Sequence, residues 1–110
     1  MTAQGWAILD MKTNLILYGK AENVKREIAS LTKIMTFYSA ISIIEKFEID
    51  SKKVFFCVSK NASLITGTTA RLQKGMWISL KDLFYALMLP SGNDAALVLS
   101  ENLASFLKMA

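Results

Sequence analysis

The strongest periodic signal in this chain is an apolar pattern at helical spacing between residues 30 and 46. Its five members, each three or four residues from another, are Ile34, Phe37, Tyr38, Ile41 and Ile44. Because residues at this spacing share one face of an α-helix, the pattern predicts a helix over residues 30–46. The chain has 110 residues, of which 53% are hydrophobic, which is enough for one modest domain, or part of one, with a buried core.

Shorter apolar runs on either side of this helix predict extended segments. Residues 6–9 and 15–18 are rich in residues that favour strands, and Asp-Met-Lys-Thr-Asn between them contains turn formers, so we predict a β-hairpin. Residues 53–58 predict a further extended segment. Residues 61–75 are rich in Ser, Thr and Gly without a clear period, which indicates mostly loop.

Two more helices are predicted in the second half of the chain. Ser79, followed three residues later by Asp82, is typical of a helix start, and Pro90 must end that helix, which gives a helix over residues 80–89. Apolar residues after the turn predict a further helix that belongs to the core. They are Ala95, Ala96, Leu97, Val98, Leu99, Leu103 and Leu107.

The composition excludes several kinds of site. The chain contains no histidine, which excludes every mechanism that uses an imidazole base. With Cys57 as its single cysteine it also lacks the usual nitrogen and sulfur ligands of zinc, so we expect no metal and no disulfide within the chain. Cys57 lies in an apolar run, where a small buried hydrophobic side chain is expected.

The charge pattern and the hydropathy limit the partners of the chain. The formal charge of +4 comes from scattered basic residues, which predicts a solvated surface and no nucleic-acid partner. The longest uninterrupted apolar run covers residues 83–89. A membrane-spanning helix needs about 20 such residues, so we expect no transmembrane segment. The first six residues contain no signal-peptide pattern.

Ser30 and Lys33 form the candidate reaction centre that remains once histidine is excluded. A serine nucleophile can be activated by a lysine whose amine is kept neutral by burial or by a neighbouring positive charge. At a helix start, a spacing of three places Lys33 one turn above Ser30 on the same face. The free N–H groups and the positive dipole end of the helix also favour an oxyanion on a carbonyl that Ser30 attacks.

The spacing of this pair is repeated by Ser105 and Lys108. The second copy lies late in a predicted helix, where a serine hydroxyl bonds to the preceding turn and no helix start offers N–H donors. We therefore interpret Ser105 as structural.

A second pattern, Ser-x-Asn, occurs three times, beginning at Ser59, Ser91 and Ser100. The copy formed by Ser91 and Asn93 lies at a tight junction between two predicted helices, where side chains can project into a cleft. Either side chain could instead cap the helix that begins near Asp94, and the residues alone favour this capping role.

Two blocks stand out in this order, Ala-Ser-Leu-Thr-Lys-Ile-Met-Thr at residues 29–36 and a second block at residues 75–83 and 87–96. The first resembles the active-site signature of the low-molecular-weight penicillin-binding proteins of the serine-type D-alanyl-D-alanine carboxypeptidase family, and the second resembles that family's second conserved block. The predicted hairpin fits the family's first two strands, so the resemblance covers about residues 6–107. It implies an α/β (α+β) fold of the β-lactamase/transpeptidase-like class, with an N-terminal hairpin, the helical half of the active site and an incomplete sheet.

The resemblance also implies a function and a role for each candidate residue. Members of the family cleave the terminal D-alanine from peptidoglycan stem peptides that end in D-Ala-D-Ala, and β-lactams inhibit them covalently. Ser30 corresponds to the nucleophile, Lys33 to its general base, Ser91 to the relay of a proton to the leaving amine, and Asn93 to a contact with the substrate amide that also positions Lys33. The resemblance implies no cofactor and an extracytoplasmic location.

One motif of the family is missing. Its third motif, Lys-Thr-Gly, does not occur in the 110 residues, and Ile-Thr-Gly at residues 65–67 lacks the lysine and lies too early. In the family this strand binds the substrate carboxylate and supplies the second oxyanion donor, whose loss typically lowers the rate by about 10²–10³. We therefore predict a partial catalytic domain over residues 1–110, either a fragment or a truncated reading frame, whose hairpin has an open edge.

Three hypotheses remain. The first is a serine-type D-Ala-D-Ala carboxypeptidase, with an endopeptidase or a weak β-lactamase as variants that share these motifs. The second is a truncated, non-catalytic remnant that acts as a binding or scaffold module. The third, a generic α/β interaction domain, requires both blocks to have arisen by chance. A covalent penicillin adduct on Ser30 distinguishes the first hypothesis from the second.

Overall fold

The computed structural model describes residues 2–109. Four strands, four α-helices and one 3₁₀ turn, joined by loops, form this part of the chain. The elements are β1 (Trp6–Asp10), β2 (Leu15–Lys20), a 3₁₀ turn (Ala29–Leu31), α1 (Thr32–Lys46), β3 (Phe55–Cys57), α2 (Lys60–Ser63), β4 (Trp77–Ser79), α3 (Leu80–Met88) and α4 (Asn93–Met109). β1 pairs with β2 and β3 pairs with β4, both antiparallel. None of the helices in this part of the chain is long and apolar enough to cross a membrane.

The predicted hairpin is formed by β1 and β2. Its turn is held by the Asp10 carboxylate, which accepts hydrogen bonds from the Lys12 N–H at 3.0 Å and the Thr13 hydroxyl at 2.9 Å. These two bonds favour the charged form and hold the pKa of Asp10 below its ordinary value. Within residues 2–109 the two strands pair only with each other, and every residue of β2 is exposed. The hairpin edges are therefore open, as predicted.

Helix α1 confirms the prediction of a helix over residues 30–46. It differs from the prediction in where the α-helix begins and in how much of its apolar face is buried. Its first turn is tightened into the 3₁₀ turn, so that the α-helix itself begins at Thr32. Phe37 and Ile44 pack against the core, whereas Ile34 and Tyr38 are 55% and 67% exposed. The apolar face is therefore only partly covered by α3 and α4.

The core lies between α3 and α4. Helix α3 begins as predicted, because the Ser79 hydroxyl accepts a hydrogen bond from the Asp82 N–H at 3.0 Å. It ends at Met88, two residues before Pro90. Both helices contribute fully or almost fully buried side chains, which are Leu80, Leu83 and Leu87 from α3 and Ala95, Val98, Leu99 and Leu103 from α4. The predicted role of α4 as a core helix is confirmed.

The middle of the chain differs from the prediction in two places. Residues 60–63 form the short helix α2 instead of a loop, and the Ser59 hydroxyl caps it by accepting from the Ala62 N–H at 3.1 Å. Strand β4 was not predicted, because three residues are too few to show a period. Cys57 in β3 is half-buried, and its neighbours Phe56 and Val58 take the buried positions.

Candidate functional site

Ser30, Lys33 and Asn93 meet where the starts of α1 and α4 approach each other. The Lys33 Nζ lies 3.4 Å from the Ser30 Oγ and donates to the Asn93 Oδ1 at 2.7 Å. Ser30 is exposed, while Lys33 and Asn93 are half-buried. The amine is therefore held between a fixed amide oxygen and an accessible hydroxyl.

The amide of Asn93 is oriented by a loop from the middle of the chain. Its Nδ2 donates to the Thr66 carbonyl at 3.2 Å, and its backbone N–H donates to the Thr68 carbonyl at 2.8 Å. Gly67 lies between them with φ of 85°, and a Cβ atom there would lie 2.9 Å from the Asn93 Nδ2. Only glycine fits this approach without displacing the amide. With its side chain committed to Lys33 and Thr66, Asn93 does not act as the predicted helix cap.

Ser91 has an unusual backbone and an unusual side-chain environment. Its φ is 55°, in the left-handed region, and its carbonyl accepts from the Thr68 hydroxyl at 2.8 Å. Its Oγ is buried and has no hydrogen-bond partner among residues 2–109, so it does not cap α4 either. Such strain and such an unsatisfied hydroxyl persist where the surrounding structure imposes them, and they are frequent at functional sites.

In the remaining copies of the two patterns, the three serines and Asn102 form hydrogen bonds within their own helices. The hydroxyl groups of Ser100 and Ser105 and the amide of Asn102 donate to backbone carbonyls of α4, and Ser59 caps α2. The interpretation of Ser105 as structural agrees with this contact. In the described part of the chain, the Ser-x-x-Lys copy at residues 30–33 and the Ser-x-Asn copy at residues 91–93 are joined by the hydrogen bond from Lys33 in α1 to Asn93 in α4.

This arrangement has some of the parts that acyl transfer requires, namely a hydroxyl within reach of an amine and a helix start beside it. Hydrogen bonds between a nucleophile and its base are often long before substrate binds, so a separation of 3.4 Å is compatible with proton transfer from Ser30 to Lys33. Ser30 lies in the first turn of its helix, where the Leu31 N–H already donates to the Ile28 carbonyl at 3.0 Å, whereas the Ser30 N–H has no intrahelical acceptor and can stabilise an oxyanion. No cluster of His, Cys, Asp or Glu suited to a metal ion exists within residues 2–109.

The sequence analysis missed three residues that shape this site, namely Thr66, Thr68 and Asp94. Thr66 and Thr68 contribute backbone carbonyls, which leave no side-chain signature. Asp94 does leave a signal in the sequence, because it is a charged residue directly before the apolar run of a predicted core helix. In the structure it is 2% exposed.

Comparison with known proteins supplies the remaining evidence. The profile of the family described as D-alanyl-D-alanine carboxypeptidase matches residues 1–109. The carboxypeptidase DacD of Escherichia coli strain K12 is 30% identical over 107 residues, which cover 93% of this chain and 28% of that protein.

Two solved structures are similar over nearly the whole chain. The crystal structure of DacD from Francisella tularensis has a TM-score of 0.87 and 32% identity, and it covers 93% of this chain and 24% of that one. Penicillin-binding protein 5 from Haemophilus influenzae has a TM-score of 0.86 and 25% identity, and it covers 94% of this chain and 31% of that one. The superpositions confirm the predicted fold class, here with an incomplete sheet. The chain spans about a quarter to a third of the length of these relatives.

Proposed function

The chain belongs to the D-alanyl-D-alanine carboxypeptidase family, and on this premise we propose that it carries the nucleophilic half of a serine-type D-Ala-D-Ala carboxypeptidase site. The substrate is a peptidoglycan stem peptide that ends in D-Ala-D-Ala, and β-lactams acylate the same serine. Such a substrate places the reaction outside the cytoplasm, in the periplasm or at the outer face of the membrane.

The observation that carries the proposal is the contact of the Lys33 amine with both the Ser30 hydroxyl and the Asn93 amide oxygen. In the first step the Ser30 Oγ attacks the carbonyl carbon of the penultimate D-alanine while Lys33 takes the hydroxyl proton. The peptide C–N bond then breaks, and the terminal D-alanine leaves as an amine that receives, through Ser91, the proton that Lys33 took from Ser30, which regenerates the base. Water hydrolyses the resulting ester, which releases the shortened peptide and frees Ser30.

Asn93 has two roles in this proposal. Its Oδ1 fixes the Lys33 amine, and its position at the start of α4 allows it to contact the substrate amide. Because the chain contains no Lys-Thr-Gly motif, the second oxyanion donor and the carboxylate anchor are not supplied by these 110 residues. We therefore expect this chain to be acylated about 10²–10³ times more slowly than a site with both donors.

A non-catalytic remnant is the second candidate function. The observation that favours it is that the Lys33 amine lies 2.7 Å from the Asn93 Oδ1 but 3.4 Å from the Ser30 Oγ, so its shorter contact is the one between the two helices. In this alternative the contact between Lys33 and Asn93 stabilises the junction of α1 and α4, and the module binds a partner without forming a covalent intermediate.

Incubation of the folded chain with a fluorescent penicillin separates the two candidates. We expect one covalent adduct per chain, and tryptic digestion places it, because Ser30 falls in the peptide 27–33 whereas Ser91 and Ser105 fall in the peptide 82–108. Circular dichroism verifies that the chain is folded, and a heat-unfolded sample is the control for non-specific acylation. A folded chain without an adduct on the peptide 27–33 would support the remnant and rule out the enzyme.

Ser91→Gly should make the chain more stable and less reactive. Glycine adopts a left-handed φ without the penalty of about 1–2 kcal/mol that other residues incur, and the change removes a buried hydroxyl without a partner. Glycine also has a less favourable backbone entropy, so we expect a net gain of about 1 kcal/mol in the free energy of unfolding. Loss of the proton relay should slow the covalent reaction about 10²-fold.

Chemical denaturation and the time course of labelling measure these two effects. Glu48→Gly is the matched control, since Glu48 is exposed, has a φ of 51° and lies beyond the far end of α1, and it should change stability without changing the labelling rate. A Ser91→Gly variant that labels as fast as the wild type would exclude Ser91 from the proton relay.

A further inference from the structure

Asp94 is a buried carboxylate that no step of the proposed reaction uses. It is 2% exposed, and both of its oxygens accept hydrogen bonds from backbone N–H groups. The Oδ1 accepts from Ala70 and Ala95 and the Oδ2 accepts from Leu72, each at 2.9 Å. A buried carboxylate is costly unless such bonds satisfy it, so its position and that of its donors are fixed together.

Two of these donors belong to the loop at residues 66–72, which we call the strap. The strap runs past the start of α4, and Asp94 holds one end of it through Ala70 and Leu72. The other end contributes the two carbonyls that bind Asn93, from Thr66 and Thr68.

The strap also reaches Ser91, because the Thr68 hydroxyl donates to the Ser91 carbonyl at 2.8 Å. Its approach to the helix start is close enough that a Cβ atom on Gly92 would lie 2.8 Å from the Asp94 Oδ1 and 3.3 Å from the Ala70 N. The backbone of the strap thus connects the two N–H groups that bind Asp94 to the two carbonyls that orient Asn93.

We propose that Asp94 is a positioning residue, which clamps the strap so that the Asn93 amide holds Lys33 against Ser30. This inference rests on the proposed function, since it assigns the clamp to the acylation of Ser30. Asp94 does not touch the reacting atoms and acts through the strap and Asn93. A displacement of about 1 Å at a catalytic group can lower a rate about 10²-fold, so a loosened strap should be visible in the kinetics.

Asp94 could instead act only as a negative charge in the first turn of α4, where it opposes the positive end of the helix dipole. Asp82 allows the two roles to be separated. It also lies in the first turn of its helix, α3, but it is exposed and its side chain binds no loop. Asp94→Asn and Asp82→Asn therefore remove the same charge from equivalent positions, whereas only the first removes an acceptor from the strap.

The experiment compares both variants with the wild type as full chains. The first measurement is the acylation of Ser30 by a fluorescent penicillin, resolved into a saturating rate constant and a half-saturating concentration. For Asp94→Asn we expect the saturating rate constant to fall between about 10-fold and 100-fold, and the half-saturating concentration to stay within about twofold, because the groups that touch the ligand are unchanged.

The second measurement is amide hydrogen exchange at Ala70 and Leu72, together with the NMR signals of the Asn93 side-chain NH₂ group. In Asp94→Asn the amide can present only one oxygen to three N–H donors, so we expect exchange at Leu72 to accelerate about tenfold or more and the Asn93 signals to shift. Asp82→Asn should leave all of these quantities as in the wild type.

Each remaining outcome decides the proposal. Unchanged kinetics and exchange in a folded Asp94→Asn variant overturn it, and so do equal losses in Asp82→Asn, which would assign the effect to helix charge. If the wild type is not acylated, the proposed function fails, and exchange and the Asn93 signals alone decide whether the clamp exists. If Asp94→Asn does not fold, Asp94→Glu keeps the charge but displaces both oxygens by one methylene group from the N–H donors of Ala70 and Leu72, and a saturating rate constant that stays at the wild-type value in that variant overturns the proposal.

Discussion

Ser30→Ala should abolish covalent labelling by a fluorescent penicillin, whereas Ser105→Ala should leave it unchanged. The Ser30 hydroxyl is exposed at the start of its helix and lies 3.4 Å from the Lys33 amine. The Ser105 hydroxyl donates to a carbonyl within α4, although its spacing to Lys108 is the same. The two variants therefore test whether the pattern or its surroundings determine the reactivity.

The loss of labelling in Ser30→Ala should not result from unfolding. An exposed serine contributes little to packing, and substitutions of this kind usually change the free energy of unfolding by less than about 0.5 kcal/mol. Thermal unfolding followed by circular dichroism checks this, and intact-protein mass spectrometry measures the adduct. Equal labelling of Ser30→Ala and the wild type would mean that another group is the nucleophile.

The parts of the fold that the sequence predicts are those encoded locally. The hairpin follows from a turn in which the Asp10 carboxylate binds groups two and three residues further along the chain. Helix α3 follows from the Ser79 cap, which binds the N–H three residues later, and from the proline that ends the helix. Strand β3 lies within the extended segment predicted over residues 53–58, but its pairing with β4 joins residues that are about twenty positions apart, and β4 has too few residues to show a period. The exposure of Ile34 and Tyr38 was also unpredictable, because an apolar pattern does not reveal how much of a face its partners cover.

The same distinction divides the candidate site. The spacing of Ser30 and Lys33 is a property of one helical turn and can be derived from the residues. The contact between Lys33 and Asn93 joins residues 60 positions apart, and the residues alone favoured a cap at Asn93; the family resemblance pointed to a role near Lys33 instead. The strap falls in the predicted loop, but its role was missed, because it binds Asn93 and Asp94 through backbone groups that any residue type possesses.

Lys33→Met should slow the acylation of Ser30 about 10³-fold, which is within the range of about 10²–10⁴ that a general base contributes. Methionine has a similar length but cannot accept the hydroxyl proton. The Asn93 Oδ1 also loses its donor, but the Nδ2 bond to Thr66 remains, so we expect a loss of only about 1 kcal/mol in stability. Lys108→Met is the matched control and should label at the rate of the wild type.

Lys33→Arg decides whether the lysine acts as a base or only as a cation. Arginine keeps the positive charge and can still donate to the Asn93 Oδ1, but its guanidinium stays protonated in proteins and cannot take a proton from Ser30. We therefore expect Lys33→Arg to be slowed nearly as much as Lys33→Met when saturating acylation rates are compared. An arginine variant that retains most of the wild-type rate would contradict the proton-transfer role and assign Lys33 to electrostatic stabilisation of the oxyanion instead.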